Sequence, residues 1–355
     1  MKSMIIQHGL PATMRAVRFD SVSGKLELMD VPFPAPQRDE VVVKVAVCGV
    51  CRSDLARIDS AVQPRMPVYT PGHEAAGVVA AVGEDVRSWA SGDRVVVAAG
   101  RECHDCPECR EGLGSDRCSD LQLMAVHYDG AWAEYLVTSA TALVAVPDAV
   151  PLEHAAVLCG AVSIPYGAID TARLRPAEAV GVWSSGGHGA HLVQVARICG
   201  ASPIIALDGS PEVRERALEW GADVALDPAN KRVASYIGEI TRGRGLDVAF
   251  DFVGRESTFG QANAVLGERG RLVLVKAASE GPVENFPSGA EEGRTIVGHT
   301  GYRVRHLRDL VELAERGRLD VSASISSILP LARVAEGLSK VRESEGDPLL
   351  LLLRP

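Results

Sequence analysis

Two short segments carry residues that can bind a metal and move a proton: Cys51-Arg52-Ser53-Asp54 and Gly72-His73-Glu74. The first offers a thiolate, a hydroxyl and a carboxylate, and the second offers an imidazole and a carboxylate. They are far enough apart in the chain to come from different loops. An open zinc site is usually built in this way, from three protein ligands and one vacant position for water or substrate.

The third ligand has to come from further along the chain, and Cys159 in Val157-Leu158-Cys159-Gly160 is the best candidate. Zinc held there would act as a Lewis acid that polarises an alcohol or carbonyl oxygen. The alternative for Cys159 is a small core residue, because a cysteine in an apolar run usually has that role. For the His-Glu pair the alternative is a polar loop. The combination of residues favours the metal site.

A second set of cysteines lies between residues 100 and 120. It reads Cys103-His104-Asp105-Cys106-Pro107-Glu108-Cys109, followed by Cys118. Two successive C-x2-C steps and a fourth thiol one loop away provide the ligands of a closed tetrahedral zinc site, which would hold a loop in place. Disulfides and an iron–sulfur cluster are the alternatives. We favour structural zinc because nothing suggests export and no other redox signature is present.

A glycine-rich loop lies between a predicted buried strand, residues 179–183, and a helical pattern. The loop reads Ser184-Ser185-Gly186-Gly187-His188-Gly189, and Asp208 follows the next predicted strand, residues 204–207. Strand, glycine loop, helix and a later carboxylate together form a Rossmann fingerprint. Here Ser184 stands at the position of the first glycine. An ordinary turn between a strand and a helix is the alternative.

The loop and the carboxylate predict how a dinucleotide binds. Gly186 and Gly189 let a pyrophosphate approach the backbone, and the helix N-terminus offers N–H groups and the positive end of its dipole. Asp208 is placed to bind both hydroxyls of the adenosine ribose and to repel a 2′-phosphate, which favours NAD over NADP. Arg214 keeps NADP open as an alternative, because its guanidinium could reach a 2′-phosphate.

Length and composition limit the class of protein. The 355 residues suffice for two domains, and 46% hydrophobic with 23% charged residues is ordinary for a globular protein. The net charge of -9 and the absence of a long Lys/Arg run argue against a nucleic-acid partner. No apolar stretch reaches membrane-spanning length, and residues 1–13 lack the apolar region of a signal peptide. We expect no membrane partner and a cytoplasmic location, with Cys48 and Cys199 packed in the core.

The predicted secondary structure changes in character near Val162. Before it, β-branched runs bounded by Gly, Pro and Asp predict strands at 41–47, 77–83, 93–97 and 131–137, and therefore an irregular β-rich domain. After it, strands alternate with helices, which implies a parallel sheet with right-handed crossovers. The predicted helices are 211–220, 232–241, 259–266, 306–316 and 332–342, and the further strands are 248–252, 271–275 and 349–353.

With both cysteine sets and the glycine loop in place, the chain resembles the zinc-dependent medium-chain alcohol dehydrogenases. The likeness covers nearly the whole chain and keeps the order of the family's motifs, including Gly130 and Ala133-Glu134-Tyr135 before the second catalytic cysteine. The resemblance implies an α/β protein with two domains. The GroES-like β-rich catalytic domain would comprise residues 1–161 and 298–355, and a Rossmann domain with a doubly wound parallel sheet would comprise residues 162–297.

The resemblance also implies roles for the site residues. The ligands of the catalytic zinc would be Cys51, His73 and Cys159. Glu74 would be close enough to exchange as a transient ligand, Asp54 would orient His73, and Ser53 would take the proton of a substrate hydroxyl. The ligands of a second, structural zinc would be Cys103, Cys106, Cys109 and Cys118. The residues that bind the cofactor would be Arg52, Ser163, Ser184, Gly186, Gly187, His188, Gly189, Asp208 and Arg303.

Two departures from the family pattern bear on the reaction. Ala56 stands where many relatives have a histidine that ends a proton relay, so the sequence does not show by which route the proton leaves. Ala98 and Ala99 stand where a bulky aromatic often narrows the substrate pocket. We therefore expect a bulkier alcohol, such as a benzylic one, to be a better substrate than ethanol.

These observations predict a zinc-dependent oxidoreductase that transfers a hydride between NAD(H) and a medium-sized or aromatic alcohol, aldehyde or ketone. One alternative is a reductase of C=C or C=N bonds with the same fold, and another is a non-catalytic regulator that binds a dinucleotide. We expect a homodimer or homotetramer. Strand 271–275 and the segment up to Val297 would continue the nucleotide sheet across a two-fold axis.

Overall fold

Two large β-sheets, with helices packed on them, make up most of the protein. The computed structural model describes residues 10–59, 65–111, 118–184, 187–275, 293–343 and 350–355. The predictions for Ser185, Gly186 and Leu349 lie outside these residues. Two small sheets accompany the large ones. They are formed by β1 (Thr13–Asp20), β2 (Lys25–Pro32) and β4 (Val68–Tyr69), and by β7 (Gly100–Arg101) and β8 (Gln122–Leu123).

The first large sheet combines strands from both ends of the chain. Its members are β3 (Glu40–Val50), β5 (Ala75–Val82), β6 (Arg94–Val97), β9 (Tyr135–Ser139), β10 (Leu143–Ala145), β17 (Ile325–Pro330) and β18 (Leu350–Arg354). The order is β10-β6-β5-β3-β18-β17, and β9 also pairs with β3. Valine-rich β3 is buried along most of its length, which suits β-branched side chains packed on both faces of a sheet.

The second large sheet is parallel throughout. It consists of β11 (Val180–Trp183), β12 (Ile204–Leu207), β13 (Val224–Leu226), β14 (Leu246–Asp251), β15 (Leu266–Val275) and β16 (Thr295–His299). The order β13-β12-β11-β14-β15-β16 is that of a Rossmann sheet, in which the strand order reverses at β11. Ligands of such sheets bind at the carboxyl ends of the strands near that reversal.

Ten helices are seen in the described residues. They are α1 (Arg52–Ile58), α2 (Pro107–Arg110), α3 (Leu152–Val157), α4 (Ser163–Ala172), α5 (Gly187–Ile198), α6 (Pro211–Glu219), α7 (Val233–Ile240), α8 (Glu256–Ala264), α9 (Val304–Glu315) and α10 (Val334–Glu343). Helices α5 to α8 connect consecutive strands of the parallel sheet, as the alternating pattern predicted.

The helical span Leu152–Ala172 corrects one expectation from the sequence. Helices α3 and α4 are joined by a π-helical turn, Leu158–Val162, and together they are long and apolar enough to cross a membrane by length and composition. The statement that no stretch reaches this length was therefore wrong. In the structure 78% of its most apolar window is buried inside the protein, as in a core helix.

Most predicted elements differ from the observed ones in their limits, usually by one to three residues, and three differ more clearly. Only the second half of the strand predicted at 131–137 is a strand, because Trp132 bonds through its backbone to the loop at Pro71. The helix predicted at 259–266 begins earlier, at Glu256, and ends at Ala264. The register of β15 with β14 begins at Leu266, so the chain is already extended there, and the strand predicted at 271–275 begins earlier.

One continuous cluster of buried apolar side chains joins the two large sheets. It includes Val47 of β3 and Leu352 of β18 together with Val180 of β11, Leu192 of α5 and Leu158 of the π-helical turn. Burial of one such side chain contributes about 1.5–3 kcal/mol. A core shared in this way fixes the two sheets relative to each other, and therefore fixes any site between them.

The expectation that strand 271–275 continues the parallel sheet into a second subunit was wrong. Residues Arg271–Val275 belong to β15, which lies between β14 and β16 and has no unpaired edge. Strand β16, Thr295–His299, forms one edge of the parallel sheet among the described residues, and β13 forms the other. A dimer or tetramer remains a prediction. The domain boundaries also remain predictions. The pairing of β17 and β18 within the first large sheet agrees with a catalytic domain that includes the end of the chain.

Candidate active site

The two segments of the first cluster meet because β3 pairs with β5. The strands are antiparallel, and Cys48 lies opposite Ala75. Residues that follow β3 are therefore beside residues that precede β5, which brings Cys51 close to His73 and Glu74. Cys51 is also the N-cap residue of α1, so a short helix holds the thiol.

The ligand atoms of Cys51, His73 and Glu74 all lie within 4.8 Å of one another. Thiolate sulfur, imidazole nitrogen and carboxylate oxygen are the donors that zinc accepts in proteins. Three ligands leave a fourth tetrahedral position for water or substrate. The donor set therefore fits a catalytic zinc ion.

Asp54 orients the ring of His73. Its side chain is 1% exposed, and Oδ1 lies 3.2 Å from Nδ1 of His73. Its oxygens also accept the backbone N–H groups of Cys51 at 3.1 Å and Gly72 at 3.3 Å. Burial opposes ionisation, but the charge and hydrogen bond of His73 outweigh it and lower the pKa of Asp54. When His73 is neutral, an ionised Asp54 accepts the proton of Nδ1, which leaves the lone pair of Nε2 for a metal in the cluster.

Ser53 supplies the hydroxyl of the site. Its Oγ lies 3.3 Å from Nε2 of His73, so a group bound at this nitrogen is within reach of the hydroxyl. Ala56 is three residues further along α1 and has no side-chain group that can take a proton onward.

Glu74 is a buried carboxylate with an unsatisfied oxygen. It is 2% exposed, and Oε2 has no hydrogen-bond partner among the described residues. A Cβ atom on Gly160 would lie 1.8 Å from Oε1, and one on Gly49 would lie 2.4 Å from Oε2, so the two glycines make room for the carboxylate. Burial raises the pKa of Glu74 to about 7. A cation in the cluster would satisfy this oxygen.

Cys159 lies outside the group formed by Cys51, His73 and Glu74, although the resemblance implies that it is the third zinc ligand. Its Sγ lies 2.9 Å from the carbonyl oxygen of Val97 and 3.1 Å from the hydroxyl of Tyr302. Burial raises the pKa of the Cys159 thiol to about 12, so the protonated thiol can donate to the Val97 carbonyl. Glu74 therefore completes the group of three in this structure, and the role of Cys159 as a ligand remains a prediction.

Tyr302 is a site residue that the sequence reasoning missed. It follows β16 by three residues, at the carboxyl edge of the parallel sheet. Its hydroxyl contacts Cys159 and accepts the backbone N–H of Ala99 at 2.9 Å. Its position after the end of a parallel strand was the only signal in the sequence, because ligands of such sheets bind at that edge.

The two alanines of the expected pocket differ in their surroundings. Ala98 is 3% exposed and belongs to the core cluster that joins the sheets. Ala99 is half-buried and lies beside the Tyr302 hydroxyl. Of the two, only Ala99 can therefore line a pocket next to Cys159.

The four cysteines of the second set, Cys103, Cys106, Cys109 and Cys118, also come together. The ligand atoms of all four lie within 4.8 Å of one another, and none forms a disulfide. Backbone N–H groups point at the sulfurs, from Cys106 to Cys103 Sγ at 3.3 Å, from Cys109 to Cys106 Sγ at 3.4 Å and from Cys103 to Cys118 Sγ at 3.4 Å. Such donors stabilise thiolates, and four thiolates match a closed zinc site.

The described residues of the nucleotide loop are Ser184, Gly187, His188 and Gly189. Ser184 directly follows β11, and the other three form the first turn of α5. Asp208 directly follows β12 and is 8% exposed. Burial lowers the pKa of His188 to about 4, so its imidazole is neutral. Backbone N–H groups at a helix start fit an anionic dinucleotide.

The remaining predicted cofactor residues occupy three different helix starts. Arg52 begins α1 and is exposed, whereas Ser163 begins α4, is fully buried and donates its hydroxyl to the Cys159 carbonyl. Arg303 precedes α9, next to Tyr302. All three lie within two residues or one hydrogen bond of a site residue. Whether they contact a cofactor stays a prediction.

Comparisons with known proteins identify the family. Residues 37–148 match the alcohol dehydrogenase GroES-like domain, and residues 187–316 match the zinc-binding dehydrogenase domain. An NAD-dependent alcohol dehydrogenase of Sulfurisphaera tokodaii is 32% identical over 274 residues, which cover 74% of this chain and 78% of that protein. The chain belongs to the zinc-dependent medium-chain dehydrogenase/reductase family.

Solved structures of the family share the fold. An alcohol dehydrogenase from Thermus sp. ATN1 superposes with a TM-score of 0.86 at 28% identity, covering 96% of this chain and 99% of that one. A zinc-binding dehydrogenase of Sinorhizobium meliloti 1021, solved with NADP, gives 0.87 at 26% identity, with 97% and 100% coverage. This medium-chain dehydrogenase/reductase is thus an oxidoreductase of the alcohol dehydrogenase kind, built from a GroES-like and a Rossmann-type domain.

Proposed function

We propose that this protein is an NAD-dependent zinc alcohol dehydrogenase acting on medium-sized or aromatic alcohols and the corresponding aldehydes or ketones. One observation carries the proposal: three zinc-type ligand atoms, from Cys51, His73 and Glu74, converge within 4.8 Å beside the hydroxyl of Ser53. A regulator that only binds a dinucleotide has no need of an open metal site next to a hydroxyl.

The residues of the cluster divide the work of the reaction. When bound, zinc supplies a Lewis acid for the substrate oxygen, and the nicotinamide ring takes or gives the hydride. Ser53 acts as a proton relay: its Oγ beside His73 takes the proton of the substrate hydroxyl while its own proton passes on toward solvent. Asp54 holds the His73 ring so that Nε2 points inward. Glu74, with its unsatisfied Oε2, would serve as a transient ligand of a bound zinc ion.

The test is an absorbance assay for NADH with a panel of alcohols, aldehydes, enals and imines. We expect NADH to form with alcohols and to be consumed with aldehydes or ketones. Consumption of NADH with enals or imines alone would instead identify a C=C or C=N reductase. No turnover with any substrate by a zinc-loaded protein that still binds NADH would identify a regulator.

NAD is expected to be the preferred cofactor, with kcat/KM about tenfold or more above that for NADP. The carboxylate of Asp208 lies at the end of β12, where it would meet a 2′-phosphate, and unpaired like charges at a binding site cost several kcal/mol. The Arg214 guanidinium is bound to the carbonyl oxygens of Asp208 and Gly209, at 2.8 and 3.0 Å. Initial rates with both cofactors decide the question, and an equal or higher kcat/KM with NADP contradicts the proposal.

Benzyl alcohol is expected to have a higher kcat/KM than ethanol, by about tenfold or more, because an apolar pocket that fits a larger substrate gains that much. The half-buried Ala99 leaves room where an aromatic narrows the pocket in relatives. Ala99→Trp should then reduce turnover of benzyl alcohol and spare ethanol. Ala98→Trp is not a suitable test, since a large side chain in the core would strain the fold. A higher kcat/KM for ethanol in the unaltered enzyme would contradict the expectation.

A further inference from the structure

The serine at the first glycine position of the nucleotide loop makes a specific contact. Ser184 Oγ donates a hydrogen bond to Oδ2 of Asp208 over 3.2 Å. Ser184 is 9% exposed and Asp208 is 8% exposed, so bulk water competes little for this bond. A glycine at position 184 would lack it.

The contact follows from the register of the parallel sheet. Trp183, the last residue of β11, pairs with Leu207, the last residue of β12. Ser184 and Asp208 are therefore the first residues beyond the same pair, and the Ser184 N–H donates to the Leu207 carbonyl at 3.2 Å. Two buried strands thus hold the hydroxyl and the carboxylate side by side.

The other oxygen of Asp208 has its own donor. The backbone N–H of Ser210 donates to Oδ1 at 2.9 Å. Each carboxylate oxygen can accept about two hydrogen bonds. With Ser184 on one oxygen and Ser210 on the other, the carboxylate keeps acceptor capacity for the hydroxyls of a ribose. Burial raises the pKa of Asp208, whereas the N–H groups of Ser210 and Gly209, the Ser184 hydroxyl and the Arg214 charge stabilise its charged form.

Helix α5 restricts the Ser184 side chain from the opposite side. A Cβ atom on Gly189 would lie 1.9 Å from Cβ and 2.6 Å from Oγ of Ser184. Position 189 must therefore stay glycine for the serine to fit. In return, the serine side chain has little freedom to turn away from Asp208.

We infer that Ser184 is a positioning residue, whose hydroxyl holds the Asp208 carboxylate in the orientation that binds the adenosine ribose and so sets the preference for NAD. The inference rests on the proposed function, because it requires Asp208 to bind the ribose. Ser184 acts through Asp208 and has no part in the chemistry at the zinc site.

Direct binding measurements on the zinc-loaded protein test this inference. The variants are Ser184→Ala, Asp208→Asn and the double variant, and the ligands are NADH, NADPH, 5′-AMP and nicotinamide mononucleotide. Ser235→Ala is the control, since it removes a hydroxyl–carboxylate bond of the same length, 3.2 Å to Glu239, on α7. Melting temperatures check that each variant is folded.

Ser184→Ala is expected to weaken NADH and 5′-AMP about tenfold, the size of one hydrogen bond to a charged group. Nicotinamide mononucleotide lacks the adenosine ribose, so its affinity should not change, and NADPH should change little. The double variant should bind no more weakly than Asp208→Asn alone, because the two residues act as a unit.

Three results would overturn the inference. They are an unchanged affinity for 5′-AMP in Ser184→Ala, an equal loss for nicotinamide mononucleotide, which would mean a distorted loop, and additive losses in the double variant. In each case Asp208→Asn still weakens 5′-AMP, and the NAD proposal stands. If Asp208→Asn itself binds 5′-AMP normally, the ribose role of Asp208 fails, and the inference fails with it.

Discussion

Replacing Cys51 by serine is expected to lower kcat/KM for alcohol oxidation by about a thousandfold or more. Zinc contributes several kcal/mol to stabilising charge on the reacting oxygen, and each ~1.4 kcal/mol corresponds to a factor of ten in rate. A serine hydroxyl is not among the usual zinc ligands, so the metal should be lost from this cluster. The fold should persist, because Cys51 is the N-cap of α1 and serine is favoured at that position.

Metal analysis and circular dichroism complete this experiment. The unaltered protein should contain two zinc ions per chain, and Cys51→Ser should contain one with an unchanged spectrum. Cys199→Ser is the control, since this thiol lies after α5 and outside both cysteine groups. A Cys51→Ser protein with full activity, or with two zinc ions, would show that the cluster is not the catalytic metal site.

Replacing Cys118 by alanine is expected to act on stability. Cys118 belongs to the four-thiol group and accepts the N–H of Cys103 at 3.4 Å. Binding of structural zinc contributes directly to folding free energy. A loss of several kcal/mol would lower the melting temperature by roughly 5 °C, since an unfolding entropy of about 2.1 cal/mol/K per residue gives about 1.3 °C per kcal/mol for 355 residues. Thermal unfolding and zinc content are the measurements.

The two cysteine variants should differ in kind. Cys118→Ala should lose one zinc and melt at a lower temperature, or fail to assemble, whereas Cys51→Ser should lose turnover at a nearly unchanged melting temperature. Cys199→Ala is the control for removal of a half-buried thiol. An unaltered melting temperature for Cys118→Ala would contradict a structural role, and iron with visible absorbance in the unaltered protein would contradict zinc.

Local patterns determined much of the fold. The alternation of β-branched runs with helical repeats predicted the parallel sheet, and the limits of β12 agree with the prediction at both ends. The reason is that a buried strand and an amphipathic helix each have their own periodicity along the chain. The expectation that residues 298–355 belong to the same domain as the first sheet came from the family resemblance, and the pairing of β17 and β18 within that sheet was not predicted. Pairing between distant strands leaves no local pattern.

For the candidate site, too, some features were predictable from the sequence and others depend on the tertiary structure. Residue types and spacing predicted the two groups of metal ligands, because Cys51, His73 and the four cysteines between residues 100 and 120 are zinc-binding residue types at spacings found in zinc sites. Only the tertiary structure selected Glu74 over Cys159 for the first of these groups, since that depends on the glycines around the carboxylate and on the Val97 carbonyl that holds the thiol. It also decided that Tyr302 reaches the site.

Ser184 combines both sources of information. The sequence determined that a serine replaces the first glycine of the fingerprint, and by itself this looked like a defect in the motif. The parallel register of β11 and β12 places that hydroxyl 3.2 Å from the Asp208 carboxylate. A hydrogen bond requires a donor–acceptor distance that is correct to within a few tenths of an ångström. Between residues far apart in the chain, only the packing of the whole fold sets that distance.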